Sequence, residues 1–163
     1  MNTHSASWLL ISCLFYACLA NAASNTILNI SGIVQATANC SVNNGNPVTI
    51  KFDNVATDQV NGVNYSRPVN FTLKCVNLPS PSLKVRLTGT GAAFDSTSLR
   101  TSVDNLGIAF TDRNGNRMAL NDTWQYFNYA TQPTVNAVPV MRTGATLPTG
   151  GFTASATLVI ELQ

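Results

Sequence analysis

The chain is 163 residues long, with 9 basic and 7 acidic side chains and a formal charge of +2. Charged residues make up 10% of it, against a usual ~25%, and neither sign is gathered into a stripe or a tail, which argues against nucleic-acid partners. The single histidine is His4, so the remainder of the chain can build neither a His-dependent catalytic triad nor a His-ligated metal site.

Residues 1–22 read as a secretory signal. Trp8 to Leu19 is an apolar core of h-region length, and Ala20-Asn21-Ala22 is a small-residue cleavage site. The competing reading is a membrane span, but the run is short for the ~20 residues a span needs. Cleavage would remove Cys13 and Cys18 and leave Cys40 and Cys75, one pair in an exported chain. In an oxidising compartment the expected outcome is a disulfide, with two separate buried thiols as the alternative. Closing that loop contributes about 3–4 kcal/mol in the chain-entropy model.

No long helical pattern follows the signal. Short apolar or alternating runs predict strands at Thr26–Val34, Val48–Phe52 and Val69–Cys75. Leu83-Lys84-Val85-Arg86-Leu87-Thr88 alternates with period two, and Gly107–Thr111 predicts the next strand. Arg113-Asn114-Gly115-Asn116-Arg117 carries an Asn-Gly hairpin signal. A late strand is expected over Val135–Met141, interrupted by Pro139. Asn-, Gly-, Ser- and Pro-rich loops separate these runs, as at Asn43–Pro47 and Leu78–Pro81. Short strands at this spacing predict one all-β sandwich.

The last thirteen residues are the most informative. Phe152, Ala154, Ala156, Leu158, Ile160 and Leu162 fall on one face of a strand, and Thr153, Ser155, Thr157, Val159, Glu161 and Gln163 on the other. A helix would scatter those apolar residues around its circumference.

Little else suggests chemistry. Asp53, Asp58, Asp95, Asp104, Asp112, Asp122 and Glu161 sit mostly in polar, turn-like contexts that suit solvated surface or turn capping; a carboxylate pair for glycoside chemistry is the alternative. Asp112–Asn116 has a superficial calcium-loop look but lacks the remaining EF-hand spacing and the closing Glu. Trp124-Gln125-Tyr126-Phe127-Asn128-Tyr129 is aromatic-rich; it reads as a packing cluster, with a sugar-binding patch as the alternative. No cofactor and no metal site is expected.

In order along the chain, four features stand out. They are the signal followed by an alternating extension with Gly32, the early Cys40 and Cys75, Leu106-Gly107-Ile108 leading through a polar turn to Arg117-Met118-Ala119-Leu120, and Gly150 fourteenth from the end ahead of the alternating last strand. Together they resemble the chaperone–usher pilins, the subunits of type 1 and P pili, over essentially all of the chain after the signal. The family usually carries Tyr as its penultimate residue, where this chain has Leu162.

The resemblance implies an incomplete immunoglobulin-like β-sandwich completed by donor-strand exchange. It implies a signal peptide at 1–22, a donor-strand extension at 23–37 and a pilin domain at 38–163. Ile30, Gly32, Val34, Ala36 and Ala38 would be the groove-facing donor residues. Gly150, Phe152, Ala154, Ala156, Leu158, Ile160 and Leu162 would form the acceptor groove and C-terminal strand. The implied partners are a periplasmic chaperone, an outer-membrane usher and neighbouring pilin subunits, with any host receptor engaged only indirectly. The implied role is a non-enzymatic, minor or tip-adaptor subunit of a fimbrium on the bacterial surface; the alternative is a single-domain adhesin that binds a host receptor directly.

Overall fold

The computed structural model describes residues 39–163. The signal (1–22), the extension (23–37) and the donor residues Ile30, Gly32, Val34, Ala36 and Ala38 lie outside the described residues.

Eleven strands make up the described chain. They are β1 Asn39–Val42, β2 Arg67–Pro68, β3 Leu73–Val76, β4 Ser82–Gly89, β5 Gly91–Ala92, β6 Asp95–Arg100, β7 Leu106–Thr111, β8 Arg117–Met118, β9 Gln125–Asn128, β10 Asn136–Met141 and β11 Ala156–Leu162. One sheet runs β2-β10-β7-β6-β5, with β8 also on β7; a second runs β11-β4-β9; β1 and β3 pair separately. Every pairing is antiparallel. The two larger sheets enclose one core. Leu87 comes from β4, and Leu99, Ile108, Phe110, Met118 and Ala137 come from the other sheet.

Local chemistry explains most of these elements. β4 buries Leu83, Val85 and Leu87 and turns Lys84, Arg86 and Thr88 outward, the alternation expected from its sequence. The Asn114-Gly115 turn joins β7 to β8. There the Asp112 carboxylate accepts from the Asn114 and Asn116 amides and from Asn116 Nδ2, each at 2.8 Å. Hydrogen bonding, with Asn116 foremost, holds its carboxyl below the usual range. This carboxylate is committed to the turn. Pro139 sits inside β10 opposite Ile108. It does so without disrupting a ladder because β2 covers β10 only at Asn136 and Ala137, so that β10 is an edge from there on. Cys40 faces Cys75 in the β1–β3 register and the two are disulfide-bonded.

Five strands were absent from the sequence expectation: the short β1, β2 and β5, and the longer β6 and β9. β6 (Asp95-Ser96-Thr97-Ser98-Leu99-Arg100) has no apolar alternation and is held instead by a polar network. Asp95 accepts from Thr97 Oγ1 and from Ser98 Oγ, each at 2.6 Å, and pairs with Arg117 at 2.7 Å; Arg117 also reaches Ser98 Oγ. Burial alone would raise the Asp95 carboxyl, but the hydrogen bonds from Ser98 and Thr97 and the Arg117 cation outweigh it and hold the pKa at about 2. β9, in the aromatic-rich stretch, pairs with β4.

The Asp95 network carries a pH signature. A folded pKa below the ordinary 3.8 means its contribution is complete above about pH 4 and is lost as pH falls from there towards about 2. Because both partners of the ion pair are about a third exposed, screening reduces the full linkage to about 1 kcal/mol. Urea unfolding at pH 6 and pH 2.5 is expected to show Asp95→Asn losing about 1 kcal/mol less than the wild type across that interval. An equal loss would show that the network does not stabilise the fold.

Two expected strands are corrected in extent. Within Val69–Cys75 the regular ladder begins only at Leu73, although Val69 N donates to Val135 O at 2.8 Å. The C-terminal strand is in register from Ala156, not Gly151, because its partner β4 ends at Gly89, opposite Ala156. A third expectation, a strand over Val48–Phe52, is not met by any ladder among the described residues.

Candidate functional site

The missing ladder at Val48–Phe52 marks the site. Along this segment Val48, Ile50 and Phe52 are half-buried against the core, while Thr49, Lys51 and Asp53 are exposed. That is a strand's period of two without a strand's partner. Among the described residues no hydrogen bond engages the backbone from Val48 to Phe52.

Across from it runs the C-terminal segment. Gln163 N donates to Ser82 O at 3.1 Å. In an antiparallel ladder successive residues face alternate edges, so Glu161, Val159 and Thr157 likewise face β4. The N–H and C=O groups of Leu162, Ile160, Leu158 and Ala156 therefore face the other edge, where no described strand lies. Past the end of β4, Ser102 takes over its side of the ladder. Ser102 N donates to Thr153 O at 2.8 Å, and Thr153 N donates to Ser102 Oγ at 3.0 Å. The end of β4 is itself fixed by Asn121, which accepts from Gly89 N at 2.9 Å and donates to Gly89 O at 3.0 Å.

Between these two banks lies an apolar groove of about 1190 Å³. Val48, Ile50 and Phe52 line one side; Gly150, Phe152, Ala154, Ala156 and Leu158 line the other. Leu87, Leu99, Ile108 and Phe110 of the core form its floor. Phe52 and Phe152 meet with ring centroids 5.8 Å apart. Ala154 and Ala156 are exposed although they belong to the apolar face of the strand. Ile160 is half-buried further along β11 and Leu162 is 38% exposed; neither lines the groove. Of the residues expected at the acceptor groove, Gly150, Phe152, Ala154, Ala156 and Leu158 line this cavity, whereas Val48, Ile50 and Phe52, which also line it, were expected only as a strand. The signal for that second bank was present, an alternating run with no obvious partner.

The aromatic stretch lies elsewhere, beside the outer face of the β11-β4-β9 sheet. The Trp124 ring has Lys84 Nζ at 4.5 Å and Arg86 Cζ at 4.4 Å from its centroid, cation–π distances. Lys84 also pairs with Glu161 at 3.1 Å. Tyr129 Oη accepts from Cys75 N at 3.2 Å, while Tyr126 is 65% exposed. Trp124 and Tyr129 are thus engaged in packing within the sheet assembly.

Comparison with known proteins gives this open sandwich a context. A family model described as "Fimbrial protein" matches residues 28–163. The chain is 33% identical over 134 residues to the uncharacterized fimbrial-like protein YfcR of Escherichia coli (strain K12), covering 80% of this chain and 77% of that one. It is 37% identical over 152 residues to PmfE of Proteus mirabilis (strain HI4320), whose name proposes a minor fimbrial subunit; this covers 82% of the chain but 42% of PmfE. In fold it is similar to the P pilus rod subunit PapA, with a TM-score of 0.59 at 16% identity over 86% of this chain and 100% of that one. The chain belongs to the fimbrial protein family, and its open all-β sandwich has the immunoglobulin-like architecture of pilus subunits.

Proposed function

We propose that the chain is a structural subunit of an adhesive fimbrium that polymerises by donor-strand exchange. The observation that supports this is the groove. Two extended banks flank an apolar floor, and each has backbone groups that no described strand satisfies. A strand laid between them would complete both ladders and cover the floor, which is strand addition. It would also remove an exposed edge that otherwise invites aggregation.

The proposed occupant in the fibre is the extension of a neighbouring subunit, corresponding to residues 23–37 here. Its alternating Ile30, Gly32, Val34 and Ala36, together with Ala38 at its junction with the domain, would point into the groove. Burying Ile30 and Val34 would stabilise the joint by roughly 1.5–3 kcal/mol each. Before assembly, a periplasmic chaperone would fill the groove and an outer-membrane usher would receive the complex, placing the finished subunit in a surface fimbrium. The role as a minor or adaptor subunit draws support from the name of PmfE.

The test is periplasmic expression of the full precursor with and without the pilus chaperone encoded beside it. A one-to-one complex is expected with the chaperone, and degradation or aggregation without it. Accumulation of the chain in the periplasm as a stable, soluble monomer in the absence of any chaperone would refute the reading.

The alternative of direct receptor binding through Trp124–Tyr129 is weakened by the cations already packed on Trp124. Trp124→Ala is expected to leave cell adhesion unchanged at equal fibre yield; a clear loss of adhesion would favour the receptor reading.

A further inference from the structure

We infer that Phe52 and Phe152 form an aromatic clasp across the empty groove, and that parting this one contact limits how fast an incoming strand is taken up. The inference rests on the donor-strand reading above.

The two rings come from opposite banks, and each is half-buried against the core. Their centroids are 5.8 Å apart and their planes are tilted by 38°. Ring pairs at that separation attract one another beyond the area they bury. A strand inserted between the banks would lie about 4.8 Å from each, so the banks must stand roughly 10 Å apart around it. Its inward side chains would then descend at the level where the rings touch, and rings in contact leave no space for a side chain to pass. Ala154 and Ala156, the next groove-lining residues on the C-terminal bank, are too short to bridge to the other side. The clasp is therefore a local closure in a groove that is otherwise open.

In the empty subunit each ring also shields the other from water. The clasp thus stabilises the empty state and opposes filling. Once a strand is in place the same rings pack against it instead, so their removal should raise the association rate without tightening the final complex.

The test uses the chain from Ala23 to Gln163, freshly refolded from denaturant at high dilution so that the empty domain is assayed before it aggregates, and a fluorescein-labelled synthetic peptide of residues 23–37. Association and dissociation are followed by fluorescence anisotropy for wild type, Phe52→Leu, Phe152→Leu and the double variant. Either single variant is expected to take up the peptide about fivefold faster, the factor that a ring-pair attraction of ordinary size supplies. Dissociation should be at least as fast as in the wild type. Because one contact is removed by either change, the double variant should be no faster than the singles. If one single variant fails to fold, the other carries the measurement. Equal or slower association in a folded variant, or effects that add in the double variant, would overturn the clasp. Failure of the wild type to take up the peptide at all would overturn the donor-strand reading and the clasp with it.

Discussion

Replacing Gly32 with leucine is expected to abolish incorporation of the subunit into fibres while leaving its complex with the chaperone intact. The expectation follows from where the two functions reside. Under the proposed function, chaperone binding would use the subunit's own groove, whose banks are Val48–Phe52 and Phe152–Leu158. Incorporation would use the extension, which under the same proposal lies in another subunit's groove. An inserted strand is confined on both sides by ladders at about 4.8 Å, and the groove of this chain, the pattern proposed for its neighbour's, has a close-packed floor of Leu87, Leu99, Ile108 and Phe110. At the donor position that comes closest to that floor a side chain has nowhere to go. Forcing extra methylenes into a packed interior typically destabilises by about 1–3 kcal/mol and occasionally more, so the joint should weaken by roughly 5- to 160-fold. Quantitative immunolabelling of fibres, beside the yield of chaperone complex from the periplasm, separates the two effects. Normal labelling of Gly32→Leu fibres would remove Gly32 from the donor strand. A loss of chaperone complex would instead show that the extension contributes to folding of its own domain.

The sequence carried this architecture where side-chain burial follows the chain's own periodicity. β4 was legible because its two faces meet opposite environments: Leu83, Val85 and Leu87 in the core, Lys84 and Arg86 against Trp124. β6 was not, because Asp95, Thr97 and Ser98 stabilise it through hydrogen bonds to one another and to Arg117, a side chain from a different hairpin. No local pattern announces a contact of that kind. The site failed in a more useful way. Val48–Phe52 has the composition and burial rhythm of a strand, yet no described segment pairs with it. Local sequence specifies extended backbone, whereas pairing depends on a neighbour, and the proposed neighbour belongs to another molecule. At the other bank the apolar face runs from Phe152, but regular pairing begins only at Ala156, since the length of β4 rather than the sequence of β11 sets the register. Ala154 and Ala156 are exposed, and the proposed donor strand would cover them as it would pair with Val48–Phe52.

Cys40→Ser is expected to lower the stability of the domain by about 3–4 kcal/mol, the loop-closure contribution of a bridge of this span in the chain-entropy model. For a domain of this size that corresponds to a fall in melting temperature on the order of 10 °C. The bridge has a particular position. It joins β1 to β3 at directly opposed residues, in a two-stranded ribbon separate from both larger sheets. A two-stranded pair is marginal alone. Here Asn43 assists it by accepting at Oδ1 from Thr72 N at 2.9 Å, and Asn43 N donates to Thr72 O at 2.8 Å. Without the covalent tie β1 is free to separate from β3, and β1 leads through the Asn43–Gly45 turn directly into Val48–Phe52, one bank of the groove. The variant should therefore lose more than global stability: uptake of the 23–37 peptide should fall even under conditions where the variant remains folded. Thermal melting and peptide uptake, each measured for Cys40→Ser and for the wild type with and without reductant, check both parts. Unchanged melting would show that the bridge does not stabilise the domain. Reduced melting with unimpaired uptake would show that the bank is held by its packing of Val48, Ile50 and Phe52 on the core rather than by the bridge behind it.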